Sequence, residues 1–199
     1  MKKQIIVEGR FISKFVVPQK YIKDLNNCYE KAKTHLTSYG HRLAGRLDSE
    51  LNMMTLIEKT QAFKYFVNCI SDHVQTSEDF SVFPSGPHHL DINGCWINDM
   101  TEGEYNPPHT HHDGTGWSTV LFLKVPEFID DTKDPHKFKD GQLCFIMNQN
   151  ICHYVTPKVG DFYIFRADHQ HCVMPFKTKK PGAIRRSMSF NFIKVTNNV

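Results

Sequence analysis

Long apolar runs are missing from this chain of 199 residues; no stretch approaches the ~20 residues that a membrane-spanning helix needs. Met1-Lys2-Lys3 and Ile5-Ile6-Val7 look like the start of a secretion signal, but Glu8 and Arg10 interrupt the run too early to serve as one. Missing too is any C-x-x-C pair. Cys28, Cys69, Cys95, Cys144, Cys152 and Cys172 stand apart, which argues against zinc-ribbon and thioredoxin-type sites. Without a secretion signal they read as reduced thiols of a cytoplasmic protein. Charge of one sign is also lacking. A net charge of +3, from 24 basic and 21 acidic residues, is too small to point to nucleic acid. The basic cluster of Lys177, Lys179, Lys180, Arg185 and Arg186 has no aromatic stacking motif beside it. Internal repeats and low-complexity tracts are absent as well.

At 40% apolar and 23% charged residues, the chain has the make-up of one soluble domain with a substantial core. Residues 5–17 read as one or two strands ended by Pro18. Residues 19–32 carry a helical pattern, with Tyr21, Leu25, Cys28 and Tyr29 on one face. Asp48 or Ser49 is placed to cap a longer helix reaching about residue 74. Its stripe of Leu51, Met54, Leu56, Ile57, Phe63, Phe66, Val67 and Ile70 is core packing. From Phe80 the composition changes to short runs of Val, Ile, Phe and Tyr punctuated by Pro, Gly and Asn. Strands are expected at 92–97, 104–112, 118–125, 142–147, 162–166, 171–176 and 187–195, with an exposed polar loop over 126–140. The expected organisation is a single domain over residues 1–199, mainly β with N-terminal helices. Residues 1–79 give strand and helical support, and residues 80–199 form a cupin-like jelly roll of two antiparallel sheets.

Histidine is what the chain has in excess: twelve, seven of them between His88 and His153. In the segment 106–113 an extended chain puts His109, His111 and Asp113 on one face, and Pro107-Pro108 stiffens the approach to them. Two histidines and a carboxylate, with open positions left over, are how proteins hold a reactive non-haem Fe(II). Two ligand sets fit: His111 with Asp113, or His109 with His111. His171, from the distant His169-Gln170-His171 segment, completes either. The plain alternative is a His-rich surface turn, and His171 by itself reads equally well as a hydrogen-bonded core residue. Arg185 and Ser187 share a strand face. Together they make a good clamp for a carboxylate, because guanidinium presents a planar fork of donors.

The ordered series of motifs resembles the Fe(II)- and 2-oxoglutarate-dependent oxygenase superfamily, above all its small bacterial and phage-encoded members related to prolyl hydroxylases. The residues that carry the resemblance are Trp96-Ile97-Asn98, Gly103 through His111, Ser118 through Pro126, Gly141 through Phe145, Pro157 through Phe165, His171 through Phe176 and Arg185 through Asn191. It implies a double-stranded β-helix with the metal in its mouth, Fe(II) as cofactor, and 2-oxoglutarate and O2 as cosubstrates. It implies that His171 is the distal metal ligand and that Arg185, with Ser187, holds the far carboxylate of 2-oxoglutarate. The superfamily's usual His-x-Asp would select His111 and Asp113. Counted back from the Ser118 strand, the small-protein group places its pair at His109 and His111 instead. Both registers stay open.

The implied activity is hydroxylation of a prolyl or other peptidyl residue, or of a small molecule, with succinate and CO2 as co-products. Asn98, Tyr105 and Asn191 are candidates to hydrogen-bond 2-oxoglutarate or a ligand histidine. Trp117, Phe122, Tyr163 and Phe190 are candidates to line the pocket, although for any one of them ordinary core packing is the stronger reading. Two other readings differ in kind. One is a three-His cupin-type metalloprotein that does not use 2-oxoglutarate, and the other is a non-catalytic jelly-roll binding or structural module.

Overall fold

The structure, a computed structural model, describes residues 3–7, 11–78, 88–111, 115–129, 140–148 and 151–196. Strands β1 (Lys3–Val7) and β2 (Phe11–Val16) precede helix α1 (Gln19–Ala32). Then come β3 (Ser49–Asn52), α2 (Met54–Ile57) and α3 (Phe63–Glu78). The β-rich part follows: β4 (His88–Met100), β5 (Asn106–His109), β6 (Trp117–Lys124), β7 (Leu143–Asn148), β8 (Ile151–Val155), β9 (Asp161–Arg166), β10 (His171–Val173) and β11 (Arg185–Thr196). The large sheet has the order β1-β2-β9-β6-β11-β4-β3 and the small one β5-β10-β7-β8, with antiparallel pairing throughout. This is the expected mainly β jelly roll, a double-stranded β-helix, with helices added from the N-terminal part.

Three layers result, because the large sheet is covered on both faces. On one face Leu25, Tyr29, Phe66 and Ile70 of the helices pack with Leu121, Phe162, Met188 and Phe190 of the sheet. On the other, Ile12, Val120, Phe122, Tyr163 and Phe165 meet Leu143, Phe145, Val155 and Val173 of the small sheet. Double coverage explains why β6 and β9 read as nearly unbroken apolar runs rather than alternating ones. β11 does alternate, and its alternation matters for function. Arg186, Met188, Phe190 and Phe192 point one way, while Arg185, Ser187, Ser189 and Asn191 point the other.

Helix α1 has the bounds the sequence predicts. The long helix expected from about 48 to 74 is a misreading: its first turn is the edge strand β3, then come the short α2 and finally α3. The cause is tertiary. Leu51 pairs with Ile97 of β4, so these residues complete the large sheet instead of starting a helix. Asn52 Oδ1 accepts the Met54 N–H (2.9 Å), and the Asp24 carboxylate accepts the Gln61 N–H (2.9 Å), which separates the helices. Strand β8 was not expected; its residues are mostly exposed and carry no apolar run. The expected 171–176 strand is ladder-paired only over His171–Val173.

Gly116 enters β6 with a φ of 75°, and a Cβ there would run into the Phe192 carbonyl oxygen and the Ile193 side chain. Gly116→Ala combines a left-handed backbone with a rigid backbone clash. It is expected to cost at least about 1–2 kcal/mol in urea unfolding.

Candidate metal centre

β5 contains two prolines, which cannot donate to a sheet ladder, so it is suited only to an edge. It occupies the edge of the small sheet and pairs with β10 alone. That pairing sets His109 directly opposite His171, with ring centroids 4.3 Å apart. His111 lies just past the strand, tied there by its own N–H to the Ala167 carbonyl oxygen (2.9 Å). Its ring stacks on His171 at 5.0 Å. The three imidazoles bring one ring nitrogen each to within 4.8 Å of the others.

Their hydrogen bonds decide which nitrogens are free. His109 Nδ1 donates to the Pro107 carbonyl oxygen (2.7 Å) and His171 Nδ1 to that of His169 (2.9 Å). His111 Nδ1 lies 3.4 Å from the Asn191 amide, whose Oδ1 is otherwise without a partner. Turning that amide gives Oδ1 the Nδ1–H and satisfies both groups, and amide orientation is an assignment from such networks. Each Nε2 then keeps its lone pair. His111 Nε2 and His171 Nε2 sit 3.2 Å apart. Two lone pairs so placed repel unless a cation or proton lies between them. Burial lowers all three pKa values, that of His111 to about 3 and that of His171 well below the usual range. The rings are therefore neutral, the form in which histidine ligates metal. The donor set fits Fe(II).

The imidazoles face a cavity of about 30 Å³ whose lining includes Glu50, Asn98, Asn106, Leu143, Val173 and Ser187. Past Leu43 and Ala44 lies a wider mouth of about 190 Å³, bordered by Tyr39, Arg42, Asn93 and Asn191. Ser187 lines the inner cavity, and Arg185 is the next residue on the same face of β11. Arg185 is fully buried. Its Nε donates to the Gly141 carbonyl oxygen (2.9 Å), its guanidinium lies 5.0 Å from the Phe122 ring centre, and its Nη2 has no partner among the described residues. Burial pushes its pKa down to about 9.

His109, His111 and His171 are thus brought together, with Arg185 and Ser187 side by side nearby. Asp113 lies outside the described residues, as do most of the 80–90 and 126–140 segments. Of the four aromatic candidates, Trp117 and Phe190 have the core-packing role, on the helix side of the large sheet. Phe122 lies against Arg185, and Tyr163 hydrogen-bonds Asp161 (3.4 Å). Sequence reasoning missed Glu50 and Asn106. Glu50 was hidden by the helical reading of 49–52, and Asn106 carried no signal beyond standing before two prolines.

Residues 94–191 match the family described as "Putative 2OG-Fe(II) oxygenase". Solved structures of similar fold include a Pseudomonas putida prolyl-4-hydroxylase (TM-score 0.59, 16% identity, over 92% of this chain and 91% of that one). A Trichoplax adhaerens prolyl hydroxylase, in complex with a hypoxia inducible factor oxygen degradation domain peptide fragment, gives 0.61 at 14% identity over 92% and 83%. The viral collagen prolyl hydroxylase of Paramecium Bursaria Chlorella virus-1, in its 2OG complex, gives 0.58 at 11% identity over 96% and 99%. At these identities the likeness is one of fold. No curated protein matches the chain.

Proposed function

We propose that this chain is a 2OG-Fe(II) oxygenase, as the match over residues 94–191 supports, and that it hydroxylates a peptidyl residue, prolyl for preference, at the His109–His111–His171 centre. The observation that carries the reading is the convergence at one cavity of three neutral Nε2 donors, two of them on buried rings. Bound Fe(II) would couple oxidative decarboxylation of 2-oxoglutarate by O2, which yields succinate and CO2, to hydroxylation of the substrate. The chain's own contribution is positional. Pro107, His169 and Asn191 hold the Nδ1–H groups and so aim the three Nε2 atoms. Arg185, with a free Nη2, and Ser187 are suited to hold the far carboxylate of 2-oxoglutarate. The wider mouth is where substrate would approach. A peptide is favoured because the Trichoplax enzyme of like fold holds a peptide fragment. No helix among the described residues is long and apolar enough to cross a membrane.

The test is an anaerobic titration of metal-stripped protein with Fe(II), then 2-oxoglutarate, following the visible metal-to-ligand charge-transfer band. The wild type is expected to develop the band, and His111→Ala and His171→Ala are expected to lose iron. Asp113→Ala run beside His109→Ala decides the first-strand ligand. Iron bound without a band would leave a three-His metalloprotein that does not use 2-oxoglutarate.

A further inference from the structure

Glu50 is the feature of this cavity that the oxygenase reading leaves without a role. It stands opposite Asn98 of β4, which stands opposite Ser187 of β11, so a polar row crosses three adjacent strands on the cavity side. Only 5% of Glu50 is exposed, and its Oε1 has no hydrogen-bond partner among the described residues. Its surroundings add acceptors. The Oδ1 atoms of Asn98 and Asn106 are also unpartnered. A Cβ on Gly45 would lie 2.7 Å from Glu50 Oε1 and 2.5 Å from Asn106 Oδ1, so two acceptor oxygens crowd one glycine. Burial and the nearby Glu104 carboxylate push the Glu50 pKa up to about 7.

An unpaired buried carboxyl costs stability. Proteins keep such costs mainly where a site uses them. Three neutral imidazoles would hold a divalent cation without offsetting either of its charges. Glu50 is the one carboxylate among the described residues that line that cavity. It is not a direct ligand in this geometry, since the cluster of mutually close donor atoms comprises the three histidines alone.

We propose that Glu50 is a positioning carboxylate for the metal centre: across the cavity it supplies the negative charge that the all-histidine ligand set lacks, and so tightens binding of a divalent cation. The inference rests on the three-histidine reading of the metal centre above. It is tested by anaerobic Fe(II) and Ni(II) titrations of metal-stripped wild type, Glu50→Gln, Glu50→Asp and His171→Ala, with thermal melts of each protein free of metal. Glu50→Gln keeps the shape and removes the charge. It is expected to weaken both ions about 10- to 100-fold, while its metal-free form melts at or above the wild-type temperature. Glu50→Asp restores most of the affinity.

A merely structural Glu50 would give a metal-free Glu50→Gln that melts lower, and that result overturns the proposal. So does Glu50→Gln affinity within about twofold of wild type while His171→Ala loses the metal. If the wild type binds neither ion, the metal reading itself falls and Glu50 falls with it.

Discussion

Arg185→Met is expected to abolish the 2-oxoglutarate charge-transfer band while leaving Fe(II) binding intact and the metal-free fold as stable as wild type or nearly so. Arg185 is fully buried, has an unpartnered Nη2 and no counter-ion among the described residues, and has its pKa pushed down to about 9 by burial. Burying a lone guanidinium is a cost to the fold, and replacing such a charge by an apolar side chain of similar size is often neutral or stabilising. What offsets the gain here is the hydrogen bond to the Gly141 carbonyl oxygen, worth about 1–2 kcal/mol. For the cosubstrate the sign is reversed. A dianion docking on a desolvated guanidinium loses about 3–5 kcal/mol when that partner is removed, a hundredfold or more in affinity. The measurement is a 2-oxoglutarate titration of the Fe(II)-loaded variant beside a urea unfolding curve of the metal-free one. Equal 2-oxoglutarate affinity in Arg185→Met would remove this residue from the site.

Much of this arrangement could be read in the chain, because the informative signals are local. The two prolines of β5 announce an edge strand, and the His-x-His beside them then has only one neighbour to meet, the strand that carries His171. Period-two alternation in β11 separates Arg185 and Ser187 from the apolar face of Met188 and Phe190. What could not be read depends on partners far away in sequence. Residues 49–52 carry a helix-compatible pattern, and only the exposed edge of β4 turns them into a strand. That misreading concealed Glu50, whose place in the cavity follows from its register against Asn98. Trp117 and Phe190 read as core residues in the sequence, but not on which side of the sheet. They belong to the helix-side core because the large sheet has helices behind it, which alternation alone does not reveal. The β5–β10 register, which brings His109 opposite His171, is likewise a pairing between strands distant in sequence.

The neighbouring arginine should behave in the opposite way, and the contrast tests the whole assignment of faces. Arg186 points to the helix side, where its Nη2 meets Asp99 Oδ2 (2.7 Å) and its Nε meets Oδ1. Its Nη1 reaches Asn26 Oδ1 (3.0 Å) and Glu30 Oε1 (2.9 Å), and the guanidinium lies 4.3 Å from the Tyr29 ring centre. The fork is thus bidentate and buried, and it ties α1 to β4 and β11. Arg186→Ala would take the arginine from Asp99, whose side chain is only 11% exposed, and leave it the Tyr29 hydroxyl (3.3 Å). The expected loss is about 3–5 kcal/mol, a large share of a stability of about 5–15 kcal/mol. The double variant Arg186→Met with Asp99→Leu removes both charges and is expected to recover much of that loss.

The network also sets an acid limit. Hydrogen bonds from Lys33, Lys124 and Arg186 hold the Glu30 carboxyl down to about 2, below its ordinary value of 4.5. A depressed carboxyl stabilises the fold above its unfolded pKa, so this contribution is complete above about pH 4.5 and is lost as pH falls toward 2. Since Glu30 is partly exposed, the pH effect should be modest and weakened by salt. Urea unfolding of wild type and Arg186→Ala at pH 7 and pH 3 checks both points. The difference between the two proteins should shrink at the lower pH, because protonation of Glu30 removes part of what the mutation removes. An undiminished difference would place the whole of the Arg186 contribution on Asp99.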